Sequence, residues 1–217
     1  MIVFDRVTKK YPNAQEALNE VSFTVETGEM IFLTGHSGAG KSTLLKLTAA
    51  IEKPTQGQIL LDGKNINKLT ARQIPYIRRS MGIIFQNPLL LEDRTVFDNV
   101  ALALEISGYR SQDIPKRVRA ALDKVGLLKK EKLFPQALSS GEQQRLGIAR
   151  AIVHKPTLLL ADEPTGNLDP DLSAEIMRLF EQFNQVGVTV LIASHDLGLI
   201  ARLKKPILTL KEGRLLE

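Results

Sequence analysis

The 217-residue sequence contains no cysteine and no tryptophan. The first absence excludes a disulfide scaffold and any thiolate metal site, so a bound metal would be held by oxygen. Aromatic residues make up only 5% of the chain, and nowhere do they interleave with basic ones, which argues against a nucleic-acid stacking surface. No apolar run approaches the ~18 residues of a membrane span, and the first residues lack the charged-then-apolar layout of a signal peptide. These absences predict a soluble cytosolic chain. The basic surplus is small, +5, and is scattered in pairs such as Arg78-Arg79, Lys116-Arg117, Lys129-Lys130 and Lys204-Lys205. Such pairs read first as solvated faces, with an anionic membrane surface or nucleic acid as the alternatives.

What is present is a hydrophobic fraction of 43%, enough for one sizeable core, and a segment around which the rest is arranged. Gly35-His36-Ser37-Gly38-Ala39-Gly40-Lys41-Ser42, followed by Thr43, has the spacing of a phosphate-binding loop. Met30 to Leu33 reads as a buried strand before it, and Ser42 to Leu47 as a helix opening after it. The glycines let successive N–H groups and the helix N-terminus face phosphate oxygens, Lys41 adds a point charge, and Ser42 is a candidate Mg²⁺ ligand.

The alternation of Ile2, Phe4 and Val7, then Val21, Phe23 and Val25, predicts a small antiparallel sheet ahead of this loop. Tyr11, beside Pro12, is either a half-buried strand-end aromatic or a face for a nucleobase. Gln58 to Leu61 and Gly82 to Phe85 read as strands, the second ending at Gln86. From about 87 to 151 the pattern turns helical, as in Val118, Ala121, Leu122 and Val125 with Gly126 as a stop. Within that stretch Asn87-Pro88-Leu89-Leu90-Leu91 sets three leucines in a loop, as core or as an exposed docking surface. The strand pattern returns with Leu158 to Ala161, a helix from about Leu172 to Val186, the strand Val188 to Ala193 and a last hairpin over Ile207 to Leu216. Apolar strands alternating with helices imply a parallel sheet.

Phosphoryl transfer to water needs a cation held between phosphates, a positioned water and compensation of developing charge. Asp162, closing an apolar strand, suits the cation, and Glu163 beside it suits polarisation of the water; a solvated acidic turn is the structural alternative. His195 and Gln86 also follow apolar strands, where each is either a loop residue or a ligand to phosphate, water or Mg²⁺.

Taken together, these residues resemble the nucleotide-binding subunit of ATP-binding cassette (ABC) transporters over essentially the whole chain. Leu138-Ser-Ser-Gly-Glu-Gln-Gln144 resembles that family's signature segment, Leu158 to Glu163 its Walker B strand with catalytic glutamate, and Asn167-Leu168-Asp169 its D-loop. The resemblance implies a P-loop NTPase fold with a RecA-like parallel-sheet core, at about 1–86 and 152–217 including an N-terminal antiparallel β sub-domain, and an inserted α-helical sub-domain at about 87–151. It implies an ATPase using ATP and Mg²⁺, with Glu163, His195 and Gln86 catalytic. Tyr11 would stack on adenine, residues 35–43 would hold the phosphates, and Ser42, Gln86 and Asp162 the Mg²⁺. Two copies would pack head to tail, with Ser139 and Gly141 of one, and Asp169, completing the site of the other. Ser140 stands where the family usually has glycine; a serine there can cap a helix but restricts the backbone.

Asp162-Glu-Pro-Thr-Gly-Asn-Leu-Asp169 is similar to the branch that includes lipoprotein-releasing and macrolide-exporting ATPases. The segments 35–46, 93–100 and 183–190 are most similar to the bacterial cell-division branch. That likeness implies an FtsX-like integral membrane protein as partner and control of septal cell-wall hydrolysis. It also implies division-ring contacts and a place at the cytoplasmic face of the inner membrane, at the septum, without nucleic acid. Lipoprotein release or macrolide or peptide export is the alternative. A soluble ABC ATPase acting on DNA or ribosomes would usually carry a long coiled coil or a second cassette, and neither is here. A P-loop kinase would lack the segment 138–144.

Overall fold

The computed structural model describes residues 2–12, 16–166 and 168–216. Among these residues two sheets are present. The first is antiparallel, in the order β2-β1-β4-β5, from β1 (Ile2–Lys10), β2 (Glu16–Val25), β4 (Gln56–Leu61) and β5 (Lys64–Asn65). The second has the order β10-β9-β3-β8-β7-β6, built from β3 (Met30–Thr34), β6 (Met81–Ile84), β7 (Leu158–Asp162), β8 (Thr189–Ala193), β9 (Ile207–Lys211) and β10 (Arg214–Leu215). Its five strands from β6 to β9 are parallel, and β10 closes the edge as an antiparallel hairpin with β9. This is the α/β parallel-sheet core, with an antiparallel sheet ahead of it, that the strand patterns predict.

The parallel strands are apolar on both faces because both faces are covered. Met30 and Phe32 of β3, with Leu159 and Ala161 of β7, pack in a cluster with the helices that follow the sheet. Ile31 and Leu33, with Leu158 and Leu160, face the antiparallel sheet and α1 (Lys41–Thr48). Period-two alternation thus divides one run between two cores.

Beyond β6 come α2's successors, for α2 (Ile74–Arg78) precedes that strand: α3 (Val96–Ile106), α4 (Ile114–Lys124) and α5 (Ser140–Ile152). Residues 87–95 form a loop, so the helical pattern begins later than Asn87, at a Thr95–Asp98 capping box. Asn99, fully buried, closes that loop from inside α3: its side-chain amide donates to the carbonyls of Leu91, Arg94 and Thr95, and its Oδ1 accepts from Leu91 N–H. α6 (Pro170–Gln185) starts two residues before Leu172, because Asp169 caps it and Pro170 occupies the first turn, where no N–H is needed. α7 (Leu197–Leu203) joins β8 to β9. Among the described residues, no helix is long and apolar enough to cross a membrane.

Candidate nucleotide site

Four strands of the parallel sheet end on one edge, and each delivers part of the site: β3 runs into the Gly35–Ser42 loop, β6 into Gln86, β7 into Asp162 and Glu163, and β8 into His195. Carboxyl ends of adjacent parallel strands are where open α/β sheets gather ligands. A cleft of about 590 Å³ is bounded by Tyr11, Ala17, residues 35–43, Gln86, Asp162, Glu163 and His195. That volume is within the range of small-molecule sites.

The loop is wrapped so tightly that two of its glycines admit no side chain. Gly35 (φ +145°) would place a Cβ 2.3 Å from the Leu210 carbonyl oxygen, and Gly40 (φ +108°) 2.4 Å from that of Ala17. Gly40 is also the N-cap of α1, whose first N–H groups open into the cleft without a side-chain cap. Those groups, with the helix dipole, form an anion site. Lys41 lies along the loop, its Nζ donating to the carbonyls of Gly35 (2.6 Å) and His36 (3.2 Å). His36 Nδ1 contacts the Ser37 carbonyl oxygen at 2.7 Å.

Asp162 hydrogen-bonds Ser42. Burial pushes its carboxyl above the usual range, while the Ser42 hydroxyl lowers it; the Glu163 charge raises it further, and Lys41 and Lys46 draw it back. A carboxylate in contact with a hydroxyl, both hard oxygen donors, fits Mg²⁺, which keeps most of its waters and takes few protein ligands. Among the described residues no group of three or more His, Cys, Asp or Glu side chains could hold a metal alone, so the other ligands here would be Gln86, which borders the same cleft, water and phosphate oxygen.

Glu163 follows on the same strand end but turns away from it. Its φ is +48°, a left-handed conformation that costs a non-glycine residue on the order of 1 kcal/mol and collects at functional sites. Its N–H donates to the Ala193 carbonyl at 2.9 Å, which ties the turn to the end of β8. From there Glu163 Oε2 meets His195 Nδ1 at 2.9 Å; the carboxylate is largely enclosed and the imidazole exposed. Tyr11, just past β1, contacts Thr43 Oγ1 through its hydroxyl at 3.3 Å, with Lys9 Nζ 5.0 Å from its ring centroid. Burial pushes the phenol up, and Glu52 pairs with Lys9 at 3.1 Å beneath it. These supports for Tyr11, and the lining residue Ala17, gave no sequence signal, because their roles come from proximity rather than from type.

The segment 138–144 stands apart. Ser139, Gly141 and Asp169 do not line the cleft. Ser139 is the N-cap of α5 in a capping box with Glu142, and Lys130 binds Glu142 at 2.6 Å. Ser140 sits in the first turn of α5, outside the residues with positive φ. The expectation that a serine there restricts the backbone is therefore corrected: the position is right-handed helix, open to any L-residue, and the cap is Ser139. Of the three leucines, Leu90 packs on the core while Leu89 and Leu91 are 60% and 38% exposed. Asn167 lies outside the described residues.

A family model described as ABC transporter matches residues 18–166. The chain is 59% identical over 215 residues to the cell division ATP-binding protein FtsE of Escherichia coli K12, covering 99% of this chain and 97% of that one. It is 46% identical over 213 residues to FtsE of Bacillus subtilis, covering 98% and 93%. The dimeric structure of MJ0796, a bacterial ABC transporter cassette, superposes with a TM-score of 0.95 at 34% identity, covering 100% of this chain and 97% of that one. A post-hydrolysis dimer of the same cassette bound to ADP and Pi matches at 0.95 and 33%, with the same coverage. The phosphate-binding loop, the strand-end acids and these likenesses agree, and the chain belongs to the ABC transporter family of ATP-binding cassettes, within its FtsE group of cell-division ATP-binding proteins.

Proposed function

We propose that the chain is the Mg²⁺-dependent ATPase subunit of a cell-division complex, acting as a homodimer on an FtsX-like membrane protein that controls septal cell-wall hydrolysis. The observation that carries the enzymatic part is the meeting of Glu163 and His195 over the phosphate-binding loop in one cleft. The division assignment draws support from the names of the curated relatives.

In this reading Tyr11 carries the adenine, and the amides of residues 35–43 with Lys41 hold the phosphates. Ser42, Asp162 and Gln86 would hold Mg²⁺, which would supply neutralisation of the charge that develops on the phosphates. Glu163 accepts a proton from water as its oxygen bonds to the γ-phosphorus and the bond from that phosphorus to the bridging oxygen of ADP breaks. His195, whose Nδ1–H donates to Glu163, orients that carboxylate. Ser139 and Gly141 of a second copy close the cleft from across the dimer, which accounts for their distance from it in the single chain; Asp169 lies at that junction. Residues at about 87–151 act as the sub-domain that transmits closure to the membrane partner at the cytoplasmic face of the membrane.

Glu163→Gln keeps the shape of the carboxylate and removes the base. The expected result is retained ATP binding, loss of turnover and an ATP-dependent dimer by light scattering. Turnover within about threefold of the unaltered protein would remove Glu163 from this role.

A further inference from the structure

Residues 110–132 contain eight basic and three acidic residues, a surplus of five that equals the surplus of the whole chain. The remaining residues carry twenty-one of each sign and balance. The charge that looks scattered in the sequence therefore belongs to one place, α4 and the short turn after it.

Within that segment the charges divide into paired and unpaired. Arg110 is held by Asp113, Arg119 by Glu131 and Lys130 by Glu142, while Arg117 stacks on Tyr109. Lys116, Lys124, Lys129 and Lys132 have no ion pair among the described residues and are exposed. Lys116, Arg119, Asp123 and Lys124 follow the helical repeat along the outer face of α4, opposite the buried Val118, Ala121 and Leu122. The two-bond contact from Arg119 to Glu131 brings the turn against that face, so Lys129 and Lys132, two residues before and one after Glu131, belong to the turn that meets this helix. Directly after Lys132 come Leu133 and Phe134, 40% and 48% exposed.

We propose that this face binds an anionic phospholipid surface directly, independently of any membrane protein partner. Unpaired lysines with long stems, next to an exposed leucine and phenylalanine, fit a headgroup layer with an apolar interior beneath it. A nucleic-acid groove would instead call for several stacking aromatics, and this face exposes one. Each lysine near an anionic surface contributes about a fivefold gain in binding, so four together give about several hundredfold.

The test is flotation of the full chain with vesicles of phosphatidylcholine alone, or with about one-third phosphatidylglycerol, at about 0.1 M salt, where screening reaches roughly 10 Å. The chain should bind the anionic vesicles and not the neutral ones, and release when salt is raised. The combined variant Lys116→Gln, Lys124→Gln, Lys129→Gln, Lys132→Gln should bind at least about a hundredfold more weakly, with basal ATP turnover unchanged. Phe134→Ser alone should weaken binding to anionic vesicles severalfold. Equal binding to both vesicle types, undiminished binding of the four-lysine variant, or tighter binding of duplex DNA through the same lysines would each overturn the proposal. Vesicle binding does not require hydrolysis, so a failed Glu163 test would leave this result standing, and the reverse.

Discussion

Asn99 offers the sharpest test of how the loop between Gln86 and α3 is held. Its amide accepts from Leu91 N–H at 2.9 Å and donates to the carbonyls of Leu91 (3.0 Å), Arg94 (3.1 Å) and Thr95 (3.0 Å). Asn99→Ala would not orphan all four groups. The Thr95 carbonyl still accepts from Asn99 N–H in the helix, and the Leu91 carbonyl from Arg94 N–H. Leu91 N–H and the Arg94 carbonyl are left. At about 1–3 kcal/mol for each unsatisfied buried group, the expected loss is about 2–6 kcal/mol, with the lower end applying where water reaches Leu91. That is a large part of the ~5–15 kcal/mol by which a domain is stable, and denaturant unfolding of both proteins with a common slope would measure it. Asn99→Asp keeps the shape and turns a carboxylate oxygen toward three carbonyls. Its folded carboxyl must then titrate above the unfolded value of about 3.9, so the native state binds more protons. The loss is absent below the unfolded value, grows as pH rises and is complete above the folded value. A stability within about 0.5 kcal/mol of the unaltered protein for Asn99→Ala, together with no pH dependence for Asn99→Asp, would refute the accounting.

Three further outcomes follow from the same kind of argument. Asp162→Asn should raise the thermal midpoint of the nucleotide-free protein at pH 8 while abolishing turnover. Burial raises this carboxyl, so its ionised form costs stability above the folded titration, and the gain should vanish in acid, below the unfolded titration; a lower midpoint at pH 8 would contradict it. Leu89→Ser or Leu91→Gln, at exposed positions, should end co-purification with the proposed FtsX-like membrane partner and leave the melting temperature nearly unchanged. Leu90→Ser, at the packed position, should instead cost about 1–2 kcal/mol by calorimetry. Gly82→Ala, whose Cβ would stand 2.4 Å from the Ala151 carbonyl oxygen, should destabilise by about 1–3 kcal/mol in urea.

The sequence alone determined the parts of this protein whose chemistry is local. The Gly35–Ser42 loop is legible because positive φ, close backbone approach and a helix start are properties of neighbouring residues. Asp162, Glu163, His195 and Gln86 are legible as strand ends because apolar runs stop just before them. The ends of helices were less so: α6 begins at Pro170 rather than Leu172 because a cap at Asp169, not the apolar repeat, sets the boundary. What only the tertiary structure decided is what non-local packing decides. The order β10-β9-β3-β8-β7-β6 puts β7 beside β8, and only that adjacency brings Glu163 to His195, 32 residues away. The same packing sets Leu90, partly buried, between two exposed leucines, holds Ser139 and Gly141 away from the cleft, and joins the turn of Lys129 and Lys132 to the helix of Lys116 and Lys124 through the Arg119–Glu131 contact. Apolar periodicity tells a residue which way to face. It does not tell it whom it will meet, because partners across a sheet or between helices are chosen by shape and register over the whole chain.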